Sequence, residues 1–353
     1  MCALRYLDSF DHYTTITQKW TAAAAAAFSI TAAAARTGIQ GLRSTQWGRY
    51  GPTLTLTAQG TWVIGFGLRY SGLPTGADRC GVCATYDGGG AQACLQVQPG
   101  TGRLILRQGN ESGAIVATSV NSLNIGVYYY IEFKHIIDNV AGLLEVRVDG
   151  VVWATFTGDT QATGNATADL IRLGSTGDAA GAGANIDWDD HYILDGVDQS
   201  IADPNSPPNN DYWGNTQIEC LVPTAPGNYA EWTTLVGAPT HWQAEDEVPP
   251  DENTSYVESA TLDQRDTYNF LNLSVVSATI PGIQILMRAR TTLAGADNIA
   301  RLYRNAGTDD QGADNVLQTS YAYHREILGG DPVAAGPWSV ANVNSMEMGA
   351  VVR

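Results

Sequence analysis

The acidic run Ile186–Asp195, IDWDDHYILD, places Asp187, Asp189 and Asp190 almost side by side, the strongest grouping in the chain for metal chemistry. Calcium is a hard cation that takes several carboxylate and carbonyl oxygens, so clustered aspartates suit it. Strand alternation works against convergence, because it puts Trp188 and Asp190 on one face and Asp187, Asp189 and His191 on the other. Solvated acids at a strand end are the commoner use of such a run. Cys80 and Cys83, with Cys94 beyond, raise a zinc or redox reading, yet a structural zinc needs four ligands and no histidine lies close in sequence. Packing of Cys83 against Cys94 across a hairpin, each as a small apolar residue, is the plainer account, and a disulfide between them stays open. The histidines, His12, His135, His191, His241 and His324, show no paired metal-ligand spacing, and neither a Gly-x-Ser-x-Gly turn nor a phosphate loop occurs.

Aromatic residues beside turn-forming residues give a second kind of chemistry. Trp47, Tyr50 and Tyr86 lie in or next to expected loops, where ring faces stack on sugars or anchor partner proteins, and they form the candidate ligand-binding set. Trp232, Trp242 and Trp338 are candidates for an interface between subunits.

The elements that must hold these residues read as strands. From Tyr128 to Thr160 a period-two alternation repeats three times, broken by Asp138-Asn139 with Gly142 and by Asp149-Gly150, a strong hairpin signal. This is an antiparallel meander. Thr61–Tyr70, Cys80–Tyr86, Ala91–Val97, Arg103–Arg107 and Leu170–Gly174 add further strands, whereas the alanine run 22–27 reads as a loop or short helix. DPNSPPNND at 203–211 breaks any regular element, and Gln217–Val222 reads as a last strand of the first domain.

The totals agree with this. Thirty-eight glycines, nine tryptophans and sixteen tyrosines with 16% charged residues suit turn-rich β architecture. Nineteen basic against thirty-six acidic residues give a net charge of -17, which repels phosphate backbones and anionic membrane surfaces, so nucleic acid is not expected as a partner. The segment MCALRYLDSFDHY lacks the marks of a secretory signal and no stretch approaches a spanning helix, so synthesis in a cytoplasm without membrane insertion is expected.

Two resemblances extend the reading. The pattern Ile131-Glu132-x-Lys134, Asp138, Gly142 and EVRVDGVV at 145–152, followed by IRLGS at 171–175 and IDWDDHYILD, resembles the concanavalin A-like, laminin-G-like jelly roll over the first two-thirds of the chain. That likeness implies that the strand opening at Leu7 pairs near the closing strand, which would bring Asp8 to Asp187 and Asp189 as the calcium set. Glucanases of the class carry Glu-x-Asp-x-x-Glu, which this chain lacks, so no enzymatic activity is expected. Further on, Asn228–Thr233, Asp246–Glu252, Asp331-Pro332, Trp338 and Asn344 ahead of Glu347-Met348-Gly349 resemble the distal part of bacteriophage virion proteins of tail or fibre type.

The expectation is therefore an all-β protein. A laminin-G-like, concanavalin A-like jelly-roll β-sandwich occupies 1–224, a Pro-rich acidic linker 225–252, and a smaller β-rich assembly domain 253–353. Its expected role is attachment of a virion to host-surface glycan or protein, as a homo-oligomer, by analogy a trimer, bound to other virion proteins. The alternative is a capsid or collar decoration protein.

Overall fold

The computed structural model describes residues 4–21, 25–76, 79–179, 181, 183–196, 211–293, 295 and 297–353. They fall into two compact units, residues 4–196 with 211–218, and residues 219–353.

The first unit has fourteen strands: β1 (Leu4–Asp8), β2 (Phe28–Thr31), β3 (Gly41–Gln46), β4 (Thr53–Gln59), β5 (Thr61–Tyr70), β6 (Gly81–Asp87), β7 (Gly90–Val97), β8 (Arg103–Gln108), β9 (Ile115–Ser122), β10 (Tyr129–Ile136), β11 (Gly142–Val148), β12 (Val151–Gly158), β13 (Ala168–Leu173) and β14 (Gly183–Leu194). An eight-stranded antiparallel sheet runs β12-β11-β10-β5-β14-β3-β2 with β1 beside β14, and a six-stranded one runs β4-β13-β6-β7-β8-β9. This is the expected concanavalin A-like jelly-roll sandwich.

Period-two alternation builds its core. Trp62, Ile64, Phe66 and Leu68 of β5, Ile131 and Phe133 of β10, and Leu144, Val146 and Val148 of β11 meet Leu95, Val97, Leu104, Leu106, Ile171 and Leu173 of the other sheet. The indoles of Trp62 and Trp188 donate across the layers to the carbonyls of Ala168 and Val82, each at 3.1 Å. His135 shares a 2.9 Å bond with the Thr85 hydroxyl inside the core, and burial pulls its ring down to about 4, so it is neutral. The Asp149-Gly150 turn has φ of +49° and +81°, as a two-residue hairpin requires, and the Asp149 carboxylate accepts the Tyr130 amide at 2.9 Å.

Three expectations change. Cys94 sits opposite Ala84, and Cys83 opposite Leu95, because irregularities on both sides of this stretch of β6 shift the register by one residue. Cys83 and Cys94 therefore face opposite sides of the sheet, which rules out a disulfide between them. Gln217–Val222 forms no strand of the first unit. Residues 225–252 are not a linker, since β15 (Pro223–Ala230) is the edge strand of the second unit's sheet; an edge needs only one side of its ladder, so Pro223 and Pro226 are tolerated. Of the alanine run, residues 22–24 lie outside the described residues, and Ala25–Ala27 form one 3-10 turn leading into β2.

The second unit continues with β16 (Thr234–Val236), β17 (Tyr256–Glu258), β18 (Arg265–Phe270), β19 (Ile283–Ala289), β20 (Asn298–Asn305), β21 (Thr308–Gln311), β22 (Asn315–Val316), β23 (Ala322–Leu328), a short helix α1 (Val340–Ser345) and β24 (Glu347–Val352). Its sheet runs β15-β18-β24-β20-β21 with β22 on β20, and Tyr303, Trp338, Val343, Met346 and Met348 form its core.

One buried carboxylate ties the start of the chain to the sandwich. Asp8, in register with His191 of β14, accepts from the hydroxyls of Tyr6 and Tyr13 and the indole of Trp20, each at 2.9 Å, and from the Phe10 amide at 3.0 Å. Lys19 lies 3.2 Å away and is itself buried. Burial pushes this carboxyl up, but Lys19 and the hydrogen bonds outweigh it and hold it at about 2. Asp8→Ala, which removes the buried carboxylate that pairs with Lys19, is expected to cost about 3–5 kcal/mol in urea unfolding. Because the folded pKa lies below the ordinary 3.8, the stabilisation is complete above that value and is lost as pH falls through about 2. Unfolding midpoints followed from pH 5 to pH 2 should fall for the native chain and stay flatter for Asp8→Ala.

Candidate functional site

The outer face of the six-stranded sheet carries one row in register: Arg172 on β13, Ala84 on β6, Cys94 on β7 and Arg107 on β8. The two inner members are small and fully buried, while the outer two are long cations. In the next row Tyr86 pairs with Leu170. Tyr50 arrives from the segment between β3 and β4, held by a bridge to Ser175. The Arg172 guanidinium packs on both tyrosines, 3.7 Å from the ring centre of Tyr50 and 4.2 Å from that of Tyr86.

Around this stack the polar groups are fixed by the β8–β9 loop. Glu111 accepts from the Ser175 hydroxyl at 2.8 and 2.7 Å, from the Thr176 hydroxyl at 3.1 Å and from the Gly81 amide, with Arg79 at 3.7 Å. Arg107 donates to the Gln96 side chain and to the Gly113 carbonyl at 2.6 Å. Arg172 donates through Nη1 to the Tyr86 hydroxyl and, at 3.5 Å, to the Thr176 carbonyl. Its Nε–H is buried and has no partner among the described residues. Burial pushes the Cys94 thiol well up, so it is no ready thiolate nucleophile. The chemistry this face offers is recognition by rings, hydroxyls and cationic donors.

The candidate aromatics part company here. Tyr50, half-buried, and Tyr86, 5% exposed, come together on Arg172, but Trp47 is a core residue whose indole donates to the Gly72 carbonyl at 2.9 Å beside Tyr70. A tryptophan next to glycine reads as a loop residue, yet its N–H finds a backbone carbonyl inside. Trp338 is likewise core rather than interface, edge-on to Tyr303 and bonded to the Leu328 carbonyl at 3.0 Å. Trp232 and Trp242 are half-buried, and the Trp232 indole donates to the Gln264 carbonyl at 3.1 Å.

The proposed calcium ligands do not converge. Asp8 is taken by its own network, Asp187 pairs with Arg43 at 2.6 Å and Arg69 at 2.7 Å, and Asp189 accepts the backbone amides of Arg36 at 2.6 Å and Thr37 at 3.1 Å. Asp190 accepts from the Thr37 hydroxyl at 2.7 Å and the Ile218 amide at 2.8 Å and pairs with Arg36. Burial, then repulsion from Asp190, lifts Asp189 to about 8. Among the described residues no group of three His, Cys, Asp or Glu side chains is arranged to hold a metal.

That outer face of the eight-stranded sheet is also covered by the chain itself. In residues 211–218, Tyr212 lies 3.7 Å from the Arg147 guanidinium, the Trp213 ring centre is 4.6 Å from that of Tyr192, and the Gly214 amide donates to Glu132 at 2.8 Å. Sequence reasoning missed Arg172, Arg36 and Glu111. Only an arginine inside the otherwise apolar Leu170–Leu173 stretch hinted at the first.

The chain matches no protein-family model and no curated protein. Solved structures share the sandwich at low identity. The cellulose-induced protein Cip1 is 13% identical with a TM-score of 0.41, over 54% of this chain and 97% of that one. A Trypanosoma rangeli sialidase mutant with trans-sialidase activity is 12% identical with a TM-score of 0.38, over 55% of this chain and 31% of the sialidase. The alginate lyase AlgAT5 is 10% identical with a TM-score of 0.30, over 50% of this chain and 82% of that one. A sialidase and a lyase among these correct the expectation of a protein without enzymatic activity. Sandwiches of this kind occur in enzymes, so the missing glucanase pattern is no ground for excluding catalysis.

The burial of the two sheet cysteines has a direct consequence. Burial raises the pKa of both thiols, so Cys83 and Cys94 should stay unmodified by iodoacetamide at pH 8 in the folded chain and react fully in urea, as read by peptide mass. Modification of either under native conditions would contradict their placement.

Proposed function

We propose that the first unit is a glycan-binding module and that the face around Tyr50, Tyr86 and Arg172 is its binding surface. The supporting observation is Tyr50, a half-buried ring held by a bridge to Ser175 and packed against the Arg172 guanidinium. A saccharide presents apolar C–H faces and hydroxyl edges, which such a surface matches better than an apolar pocket or a uniformly charged patch does. The second unit, with its own sheet and core, then serves to carry the module. The likeness of its sequence to phage tail and fibre proteins extends the proposal to attachment of a virion to a glycan-coated host, testable by immunogold labelling of particles with antibody to the first unit.

Screening the full chain on a glycan array should give binders. Tyr50→Ala should weaken the best of them at least tenfold in titration calorimetry, with the melting temperature within about 4 °C of the parent, since about 1 kcal/mol of cation–π contact is removed. Unchanged affinity in Tyr50→Ala, or an array without binders, would remove the proposal.

A further inference from the structure

We infer that this surface selects acidic sugars, with the carboxylate of a uronic or sialic acid residue pairing with the guanidinium edge of Arg172 that has no partner among the described residues. The inference rests on the glycan-binding reading above and names the ligand class. Its ground is a charge that the chain leaves unanswered. With a net charge of -17, carboxylates are abundant, and Arg5, Arg36, Arg43 and Arg69 of the other sheet each meet an aspartate. Arg172 meets none within 4.0 Å among the described residues, although it is only 3% exposed. A buried cation is costly unless it is paired and hydrogen-bonded, and two tyrosine rings offset only part of that cost.

The free groups have a particular geometry. Ring contacts occupy the guanidinium's surface, and Nη1 is used by Tyr86 and Thr176. What is left is the edge with the unpartnered Nε–H. Two parallel N–H groups on one guanidinium edge match the two oxygens of a carboxylate, a planar and bidentate arrangement that lysine cannot reproduce. Arg107, at the far end of the same row, also lacks a carboxylate partner among the described residues and bonds only an amide and a carbonyl. Three strand spacings separate the two arginines, about 14 Å, a span that an acidic oligosaccharide meets and a single small anion does not. Glu111, a carboxylate fixed nearby, is already held by Ser175, Thr176, Gly81 and Arg79.

The test uses the full chain with oligogalacturonate, oligomannuronate and sialyllactose, each titrated beside its methyl ester, which keeps the sugar and removes the charge. At least one acid should bind tenfold or more tighter than its ester, with the preference falling below twofold in Arg172→Lys. Because Arg172 is buried and its variant could unfold, the wild-type chain gives a second reading: the Arg172 Nε–H resonance should shift on adding the preferred acid. Equal binding of acids and esters overturns the acidic selectivity while the glycan reading stands. No binding to acids, esters or neutral glycans overturns both. An acid preference that survives in Arg172→Lys, or that leaves the Nε–H resonance unmoved, overturns the assignment to this arginine.

Discussion

Burying the carboxylates of one central strand is the constraint on which the sandwich depends. Asp187, Asp189 and Asp190 on β14, and Asp195 just past its end, are all buried, and each needs a partner brought from elsewhere in the chain. Arg43 and Arg69 answer Asp187, the Arg36–Thr37 corner answers Asp189 and Asp190, and Arg5 answers Asp195. Removing one member of such a pair leaves a charge in a poorly polarisable interior, so β14 fixes the positions of β1, β3, β5 and the corner after the 3-10 turn at Ala32–Ala34 all at once. What reads as a metal site in sequence is a set of ion pairs at Asp187, Asp190 and Asp195, with Asp189 held by backbone amides, that holds strands together.

The two outer faces of the sandwich are thus different in kind. On the eight-stranded sheet, charges are matched by arginines and backbone amides and then roofed by residues 211–218. On the six-stranded sheet, Arg172 and Arg107 have no carboxylate partner among the described residues, and two tyrosines pack on Arg172. The first face binds the chain to itself; the second leaves the buried Arg172 guanidinium without a carboxylate among the described residues.

The parts of the fold legible in sequence were those set by local chemistry. Alternation in Tyr129–Ile136 and the Asp149-Gly150 turn specify the β10–β11–β12 meander with no help from distant residues. The β6–β7 pairing was misjudged by one residue because bulges leave no mark in a run such as Cys80–Tyr86. Prolines at 223 and 226 suggested a linker when they mark an edge strand. In sequence Trp47 reads as a loop residue and Trp338 as an interface residue, because the carbonyls of Gly72 and Leu328 that satisfy their indoles are supplied by tertiary structure. Tyr50 and Tyr86 are visible in sequence as candidates, yet Arg172 is not. Its significance lies in the carboxylate it lacks, which becomes visible only after β13 is placed between β4 and β6.

The pairing of β1 with β14 also sets an order of events during synthesis. Arg5 and Asp195 are 190 positions apart, so the first strand leaves the ribosome long before its neighbour exists. Closing so long a loop is slow, and until then the Leu4–Asp8 edge is open to pairing with another chain. The roof at 211–218 emerges later still, after the strands whose charges it covers. Folding of the sandwich is therefore completed from its carboxy-terminal side, and a translating polysome carries many copies with the same unpaired edge.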